Sequence, residues 1–177
     1  MPLPELIIHI GPPKTATTTL QSHVFRKQKD CTFLGKYDPD LITPSKLYNA
    51  FSQYVVFGRG DLESLKAELK ETVRGSKRPI LISNENFTKG TFAPGGVLVE
   101  TKLNRLKALT QGFNAMILLT LRPMNTAAFS ARIQFNRLFK QFNPPLQEAI
   151  CESDFMRVYR YDEFRPLLEA LWPEQVF

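Results

Sequence analysis

The sequence predicts an α/β protein: a three-layer parallel sheet flanked by helices, in a single domain spanning residues 1–177. Three observations carry that prediction. ELIIHI at 5–10, PILIS at 79–83 and AMILLTL at 115–121 are short runs that are almost wholly apolar, the pattern of strands buried on both faces. Segments with apolar residues at three- and four-residue spacing separate them, as in helices that cover a sheet. Each run ends in Gly, Pro or polar residues, where the chain leaves the sheet.

The elements follow in order. ELIIHI ends at Gly11-Pro12-Pro13, a strand followed by a turn. A helix is expected from Thr17 to about Lys29, with Leu20, Val24 and Phe25 on its inner face. Cys31–Leu34 reads as a second short strand and Ser45–Tyr54 as a helix. Asp61–Arg74 reads as a clearer helix, because Asp61 is a good N-cap, Leu62, Leu65, Leu69 and Val73 share a face, and Gly75 follows. PILIS leads into Asn84-Glu85-Asn86. Val99–Thr110 is helical, with Leu103, Leu106 and Leu109 inward. AMILLTL ends at Arg122-Pro123, and a long helix is expected over Asn125–Phe142. Met156–Tyr159 reads as a strand, Asp162–Leu171 as a helix, and Val176-Phe177 as the start of a further element.

Composition narrows the function. The 177 residues are 43% hydrophobic and 23% charged, a globular balance that argues against intrinsic disorder. No apolar run reaches the roughly 18–20 residues of a membrane span. The N-terminus lacks the basic and small-residue features of a signal peptide. Two cysteines and two histidines lack metal-ligand spacing, so neither a disulfide framework nor a zinc site is expected, and a cytoplasmic location is the default. The net charge is +6. Residues 101–147 carry seven basic side chains and no acid, whereas residues 148–177 are net acidic. The basic block suits an anionic partner: a nucleotide, a phosphorylated or sulfated substrate, or nucleic acid. No nucleic-acid-binding motif accompanies it, so nucleic acid is not expected.

The most informative segment is Ile10-Gly11-Pro12-Pro13-Lys14-Thr15-Ala16-Thr17-Thr18-Thr19-Leu20. It lies between a buried strand and a helix, where α/β folds bind ligands. A helix N-terminus offers unpaired N–H groups and the positive end of a dipole. Lys14 adds a full charge and four threonines add hydroxyl donors. No carboxylate stands near them in the sequence to compete. These residues make a site for a phosphate or a related oxyanion. The nucleoside-triphosphate loop G-x-x-x-x-G-K-[ST] does not match, because Pro13 precedes the lysine. The strands also lack a terminal aspartate to hold Mg²⁺, since AMILLTL ends in Arg122 instead.

Pro12-Pro13-Lys14-Thr15-Ala16-Thr17-Thr18 resembles the 5′-phosphosulfate loop P-x-K-T-G-T-T of the PAPS-dependent sulfotransferases, with Ala16 in place of the glycine. Such enzymes also place an arginine at the end of a later strand and a serine eight residues on. Arg122 and Ser130 in LRPMNTAAFS meet that spacing. An arginine fork and a hydroxyl two helical turns on can grip one phosphate. Val158-Tyr159-Arg160-Tyr161-Asp162-Glu163 resembles a late strand-to-helix Y-x-D/E segment of the same family.

The resemblance implies a P-loop-containing nucleotide-hydrolase-like (sulfotransferase) fold. It implies metal-independent transfer of a sulfuryl group from PAPS to a hydroxyl or amine of a small-molecule or carbohydrate acceptor, leaving adenosine 3′,5′-bisphosphate. Pro13, Lys14, Thr15, Ala16, Thr17, Thr18 and Thr19 would hold the 5′-phosphate, and Arg122 and Ser130 the 3′-phosphate. Lys14 would also stabilise the leaving group. Family members use histidine or glutamate as the base. Glu85, just past a central strand, fits the second, while a loop acid remains the other reading of it. His9 and His23 read as structural. The chain would be a short or truncated member, because such enzymes usually run longer and carry a late Gly/basic loop that is not found after residue 165. Two other functions stay open: a P-loop kinase-like phosphotransferase, and a non-catalytic nucleotide-binding protein.

Overall fold

A computed structural model describes residues 3–36, 45–91, 95–123, 125–127, 129–130, 133 and 154–177. Its centre is a parallel sheet of β1 (Leu6–Ile10), β2 (Thr32–Gly35), β3 (Ile80–Ser83) and β4 (Ala115–Leu119), in the order β2-β3-β1-β4. The chain end adds to it: Val176 forms a parallel bridge with Ile117, and Leu119 N–H donates to the Phe177 carbonyl at 2.7 Å. The α/β class and the parallel sheet expected from the sequence are both found.

Register explains why the strands are apolar. Leu6 pairs with Ile80 and Ala115, and Ile8 pairs with Ile82 and Ile117. Side chains alternate between faces, so these six share one face with Ile10. All seven are buried in one core. Helices α2 (Lys46–Phe57), α3 (Leu62–Gly75) and α4 (Val99–Thr110) deliver Phe51, Leu69, Leu103 and Leu106 to that core. Helix α6 (Tyr161–Leu171) adds Phe164 and Leu168. Ser45 caps α2 by accepting from Tyr48 N–H at 3.1 Å, and Asp61 caps α3 by accepting from Ser64 N–H at 2.8 Å. The Asp61 carboxyl is held below its usual range by those bonds from Ser64.

The opposite face carries His9, Ser83 and Leu81, and the helical segment after the first turn packs against it. That segment differs from the expected regular helix. Helix α1 covers only Thr17–Thr19, then Leu20–Val24 is π-helical and Phe25–Lys27 is 3₁₀. Its inward residues are Thr17, Gln21 and Phe25, whereas Val24 is 37% exposed and Leu20 is half-buried. The face below it is polar at His9 and Ser83, so a glutamine rather than a leucine turns inward.

One further expectation fails. Met156–Tyr159 is not a strand. Helix α5 (Asp154–Arg157) ends there in a turn that leads into α6. Phe155 and Met156 are buried in the core, and the Asp154 carboxylate accepts from the N–H groups of Thr91 and Val99. These long-range contacts outweigh the strand propensity of a four-residue stretch. Of the expected helix over Asn125–Phe142, residues 125–127, 129–130 and 133 are helical, and the rest lies outside the described residues.

Candidate functional site

The loop after β1 and the chain leaving β4 meet at the carboxyl edge of the sheet. From β1 the chain crosses to β2 on one side, whereas from β4 it leads to the terminal pairing on the other. Ligands of open α/β sheets bind at such a reversal.

Four consecutive loop carbonyls are each held by a side chain. The Gly11 carbonyl accepts from Thr88 Oγ1 at 2.7 Å. The Pro12 carbonyl accepts from Thr15 Oγ1 at 2.8 Å. The Pro13 carbonyl accepts from the buried Tyr159 hydroxyl at 2.6 Å. The Lys14 carbonyl accepts from Arg122 Nη1 at 3.2 Å. The loop is thus fastened through its carbonyl acceptors.

The backbone torsions shape the same loop. Lys14 and Ala16 have φ of 71° and 63°, flanking Thr15, whose φ is not positive. Alternating left- and right-handed residues make successive N–H groups converge on a concavity that binds anions. Ala16 stands where a side chain is strained, at a cost of about 1 kcal/mol relative to glycine. It is exposed, so its methyl contributes little packing. Ala16→Gly is expected to stabilise the protein by about 1 kcal/mol, or raise the melting temperature by about 2–4 °C. Thermal unfolding followed by circular dichroism checks this, and an unchanged or lower midpoint would show that the strain is offset.

A buried hydrogen-bonded chain underlies the loop. His9 Nδ1 lies 2.7 Å from Ser83 Oγ, and His9 Nε2 lies 3.2 Å from Thr120 Oγ1. Thr120 Oγ1 lies 3.2 Å from Thr15 Oγ1, and Gln21 Nε2 donates to Ser83 Oγ at 2.9 Å. Donor counting fixes every direction. The Thr15 hydroxyl proton goes to the Pro12 carbonyl, so Thr120 donates to Thr15. Thr120 then accepts from His9 Nε2–H, and His9 Nδ1 accepts from Ser83. The ring is therefore the neutral Nε2–H tautomer. Gly11 is required here, since a Cβ at that position would overlap Thr120 Oγ1 and stand 2.8 Å from Thr15 Oγ1.

Burial lowers the pKa of His9 to about 4. The unfolded chain takes up this proton near pH 6.5, and the folded protein only near 4. Stability is therefore full above about 6.5 and falls as the pH drops toward 4, by about 3 kcal/mol in all. Urea unfolding between pH 4 and 7 measures the slope. His9→Gln, which carries no titrating ring, is expected to flatten it, and an unchanged slope would assign the acid sensitivity elsewhere.

Of the sequence-predicted residues, Lys14, Thr15, Thr17, Glu85 and Arg122 are brought together. Thr17 Oγ1 donates to Glu85 Oε2 at 2.9 Å. No carboxylate is near the loop in sequence, and the fold brings Glu85 to it from 68 residues away. Glu85 opens a 3₁₀ turn over Glu85–Phe87 that Asn84 caps by accepting from Asn86 N–H at 2.9 Å. Pro13 is buried, while Ala16, Thr18 and Thr19 are exposed along the helix start. Arg122 is exposed and Ser130 is half-buried in the helical stretch beyond it.

Sequence reasoning missed the parts played by His9, Thr88, Thr120 and the two tyrosines. Tyr161 Oη donates to the Arg122 carbonyl at 2.5 Å and accepts from Arg122 N–H at 3.3 Å. The Tyr159–Tyr161 pair thus fastens the β1 loop and the β4 exit from one short segment. Burial, with smaller contributions from Tyr161 and Glu85, raises the Tyr159 pKa, so this phenol remains a neutral donor. The Y-x-D/E pattern was the available signal for this segment. A larger cleft of about 830 Å³ lies at the opposite edge of the sheet, around Pro4, Lys77 and Gly112, away from these groups.

Fold and site together define a parallel α/β protein with a side-chain-fastened loop at the reversal of strand order. No protein-family model matches the chain, and no curated protein sequence matches it. Among solved structures it is similar in fold to a sulfotransferase from Alicyclobacillus acidocaldarius, with a TM-score of 0.53 and 15% sequence identity, over 100% of this chain and 72% of that one. The chain has a sulfotransferase-like fold. No helix among the described residues is long and apolar enough to cross a membrane.

Proposed function

We propose that the protein is a PAPS-dependent sulfotransferase acting on a hydroxyl or amine acceptor. One observation carries the reading. The Lys14 turn and Arg122, which the sequence places 108 residues apart, are joined by the 3.2 Å bond from Arg122 Nη1 to the Lys14 carbonyl. An adenosine ligand with phosphates on both O3′ and O5′ needs two anion sites side by side. The Lys14 loop serves as one, and Arg122 with Ser130 as the other.

PAPS supplies the sulfuryl group. The backbone N–H groups of Thr15 to Thr19 hold the 5′-phosphate, assisted by Pro13 and Ala16 in shaping the turn. The acceptor oxygen or nitrogen bonds to sulfur as the bond from sulfur to the 5′-phosphate oxygen breaks. The acceptor proton passes to the Glu85 carboxylate, and Lys14 neutralises the charge that builds on the departing phosphate. Adenosine 3′,5′-bisphosphate leaves. The work is positioning and electrostatic stabilisation, with the Lys14 ammonium in the place a metal ion takes in many phosphoryl transfers.

Thermal-shift titration separates the readings. Stabilisation by adenosine 3′,5′-bisphosphate without Mg²⁺ supports the sulfotransferase, and stabilisation by Mg-ATP alone supports a kinase-like phosphotransferase.

A further inference from the structure

The amino ends of the strands carry a basic surface that the transfer chemistry does not use. Pro4 and Glu5 precede β1, Pro79 precedes β3 and Phe113 lies just before β4, and all four line the cleft of about 830 Å³ at that edge. Its described lining holds five cations, Lys66, Lys70, Arg74, Lys77 and Arg78, against two carboxylates, Glu5 and Glu63. A neighbouring cleft of about 720 Å³ shares Lys77 and Arg78 with it and adds Arg26.

Most of these cations have no acid of their own. Arg74 pairs with Glu71 at 2.7 Å. Arg78 donates to a neutral group, the Lys29 carbonyl, and keeps its charge. Lys66, Lys70 and Lys77 make no ion pair or hydrogen bond among the described residues. On α3, Lys66, Lys70 and Arg74 follow at four-residue spacing and lie along one face. Like charges so placed destabilise a helix, and an anionic surface outside the protein relieves that repulsion. Of the two carboxylates, Glu5 is engaged within the protein, its Oε2 accepting from Asn114 N–H at 3.1 Å.

Leu3 lines the same cleft and is 83% exposed. It is held there by Asn114. The Leu3 carbonyl accepts from Asn114 Nδ2 at 3.0 Å, and Glu5 N–H donates to the Asn114 carbonyl at 2.9 Å. Ala67 and Val73 add further apolar lining. A single exposed leucine is ordinary. One fixed beside unpaired lysines joins an apolar anchor to a polybasic surface, the two signals that peripheral membrane binding needs.

We infer that this edge of the sheet docks on a membrane surface rich in anionic lipid, with Leu3 entering the headgroup region and Lys66, Lys70, Lys77 and Arg78 lying against the anionic headgroups. The inference does not depend on the sulfotransferase reading. A nucleic acid is drawn by the same charge, but it makes no use of an aliphatic anchor, and the one aromatic in the described lining, Phe113, is half-buried rather than free to stack on a base. The Lys14 loop stands at the carboxyl ends of the same strands, roughly 15 Å away along the five residues of β1, and so faces away from the membrane in the docked protein.

The test sediments the full chain with vesicles of phosphatidylcholine alone and with vesicles that also carry phosphatidylserine. Binding to the anionic vesicles is expected to be about tenfold or more tighter than to the neutral ones, and to weaken as salt rises. Lys66→Gln together with Lys70→Gln is expected to weaken it about 20- to 30-fold, at roughly fivefold for each cation near such a surface. Leu3→Ser is expected to weaken it about fivefold or more. Glutamine keeps the helix propensity of α3, and circular dichroism checks that each variant is folded. Lys46→Gln together with Arg59→Gln removes the same charge from exposed positions that line neither cleft, and is expected to leave binding within about threefold. Equal binding to the two kinds of vesicle overturns the inference, as does an equal loss in the two double variants. A face that binds a DNA duplex as tightly as the anionic vesicles, with Leu3→Ser without effect on either, belongs to a nucleic acid and overturns it too.

Discussion

Lys14→Ala is expected to lower the rate of sulfuryl transfer by about 10³-fold, with the protein still folded. The size follows from the role. A cation placed where charge develops on the leaving phosphate contributes about 3–4 kcal/mol to the transition state, as a single preorganised donor does in other transfers. The substitution is clean for a backbone reason. Lys14 has φ of 71°, and alanine has the same Cβ, so strain is equal before and after. The Lys14 carbonyl still accepts from Arg122, and the turn stays fastened. Glycine would be a poorer test, since it relieves the strain and changes stability at the same time. Single-turnover kinetics with saturating PAPS gives the rate directly. Loss of less than about tenfold would remove Lys14 from the transition state.

Glu85→Gln is the second large effect, an expected fall in kcat of about 10²–10⁴-fold, the range for a positioned general base. Glutamine keeps an oxygen to accept from Thr17 Oγ1, the bond of 2.9 Å that ties this side chain to the loop. Geometry is retained and basicity is lost. The exchange also removes a negative charge beside the phosphate loop, so bisphosphate affinity should hold or rise. A split of this kind, turnover down and nucleotide binding intact, distinguishes a base from a group that merely braces the turn. Turnover that survives the exchange would dismiss Glu85 as the base.

How much could be read from the sequence depended on how local the cause was. The strands β1, β3 and β4 were legible because both faces are covered, which leaves little room for polar residues. Helix α3 was legible because Asp61 caps it and its leucines repeat on one face. The Met156–Tyr159 segment was misread, because nothing within four residues records that Phe155 and Met156 pack into the core. The inward turn of Gln21 was hidden for a related reason: its partner Ser83 lies 62 residues away, on another strand. The turn after β1 could be read from Gly11-Pro12-Pro13 and the threonines that follow. Its fastening could not, because Thr88, Arg122 and Tyr159 reach it from three separate parts of the chain. Ala16 was visible as a departure from the loop pattern, and its φ of 63° shows what that departure costs.

Isothermal titration with adenosine 3′,5′-bisphosphate in Mg²⁺-free buffer, on the unaltered chain and on Arg122→Ala, probes the two-phosphate clasp most directly. If one nucleotide spans the Lys14 turn and Arg122, the unaltered chain binds and the variant binds roughly 10- to 150-fold more weakly, the equivalent of about 1.5–3 kcal/mol for a charge-assisted contact. Equal affinity in the two proteins would contradict it, because Arg122 would then hold only the Lys14 carbonyl and no phosphate.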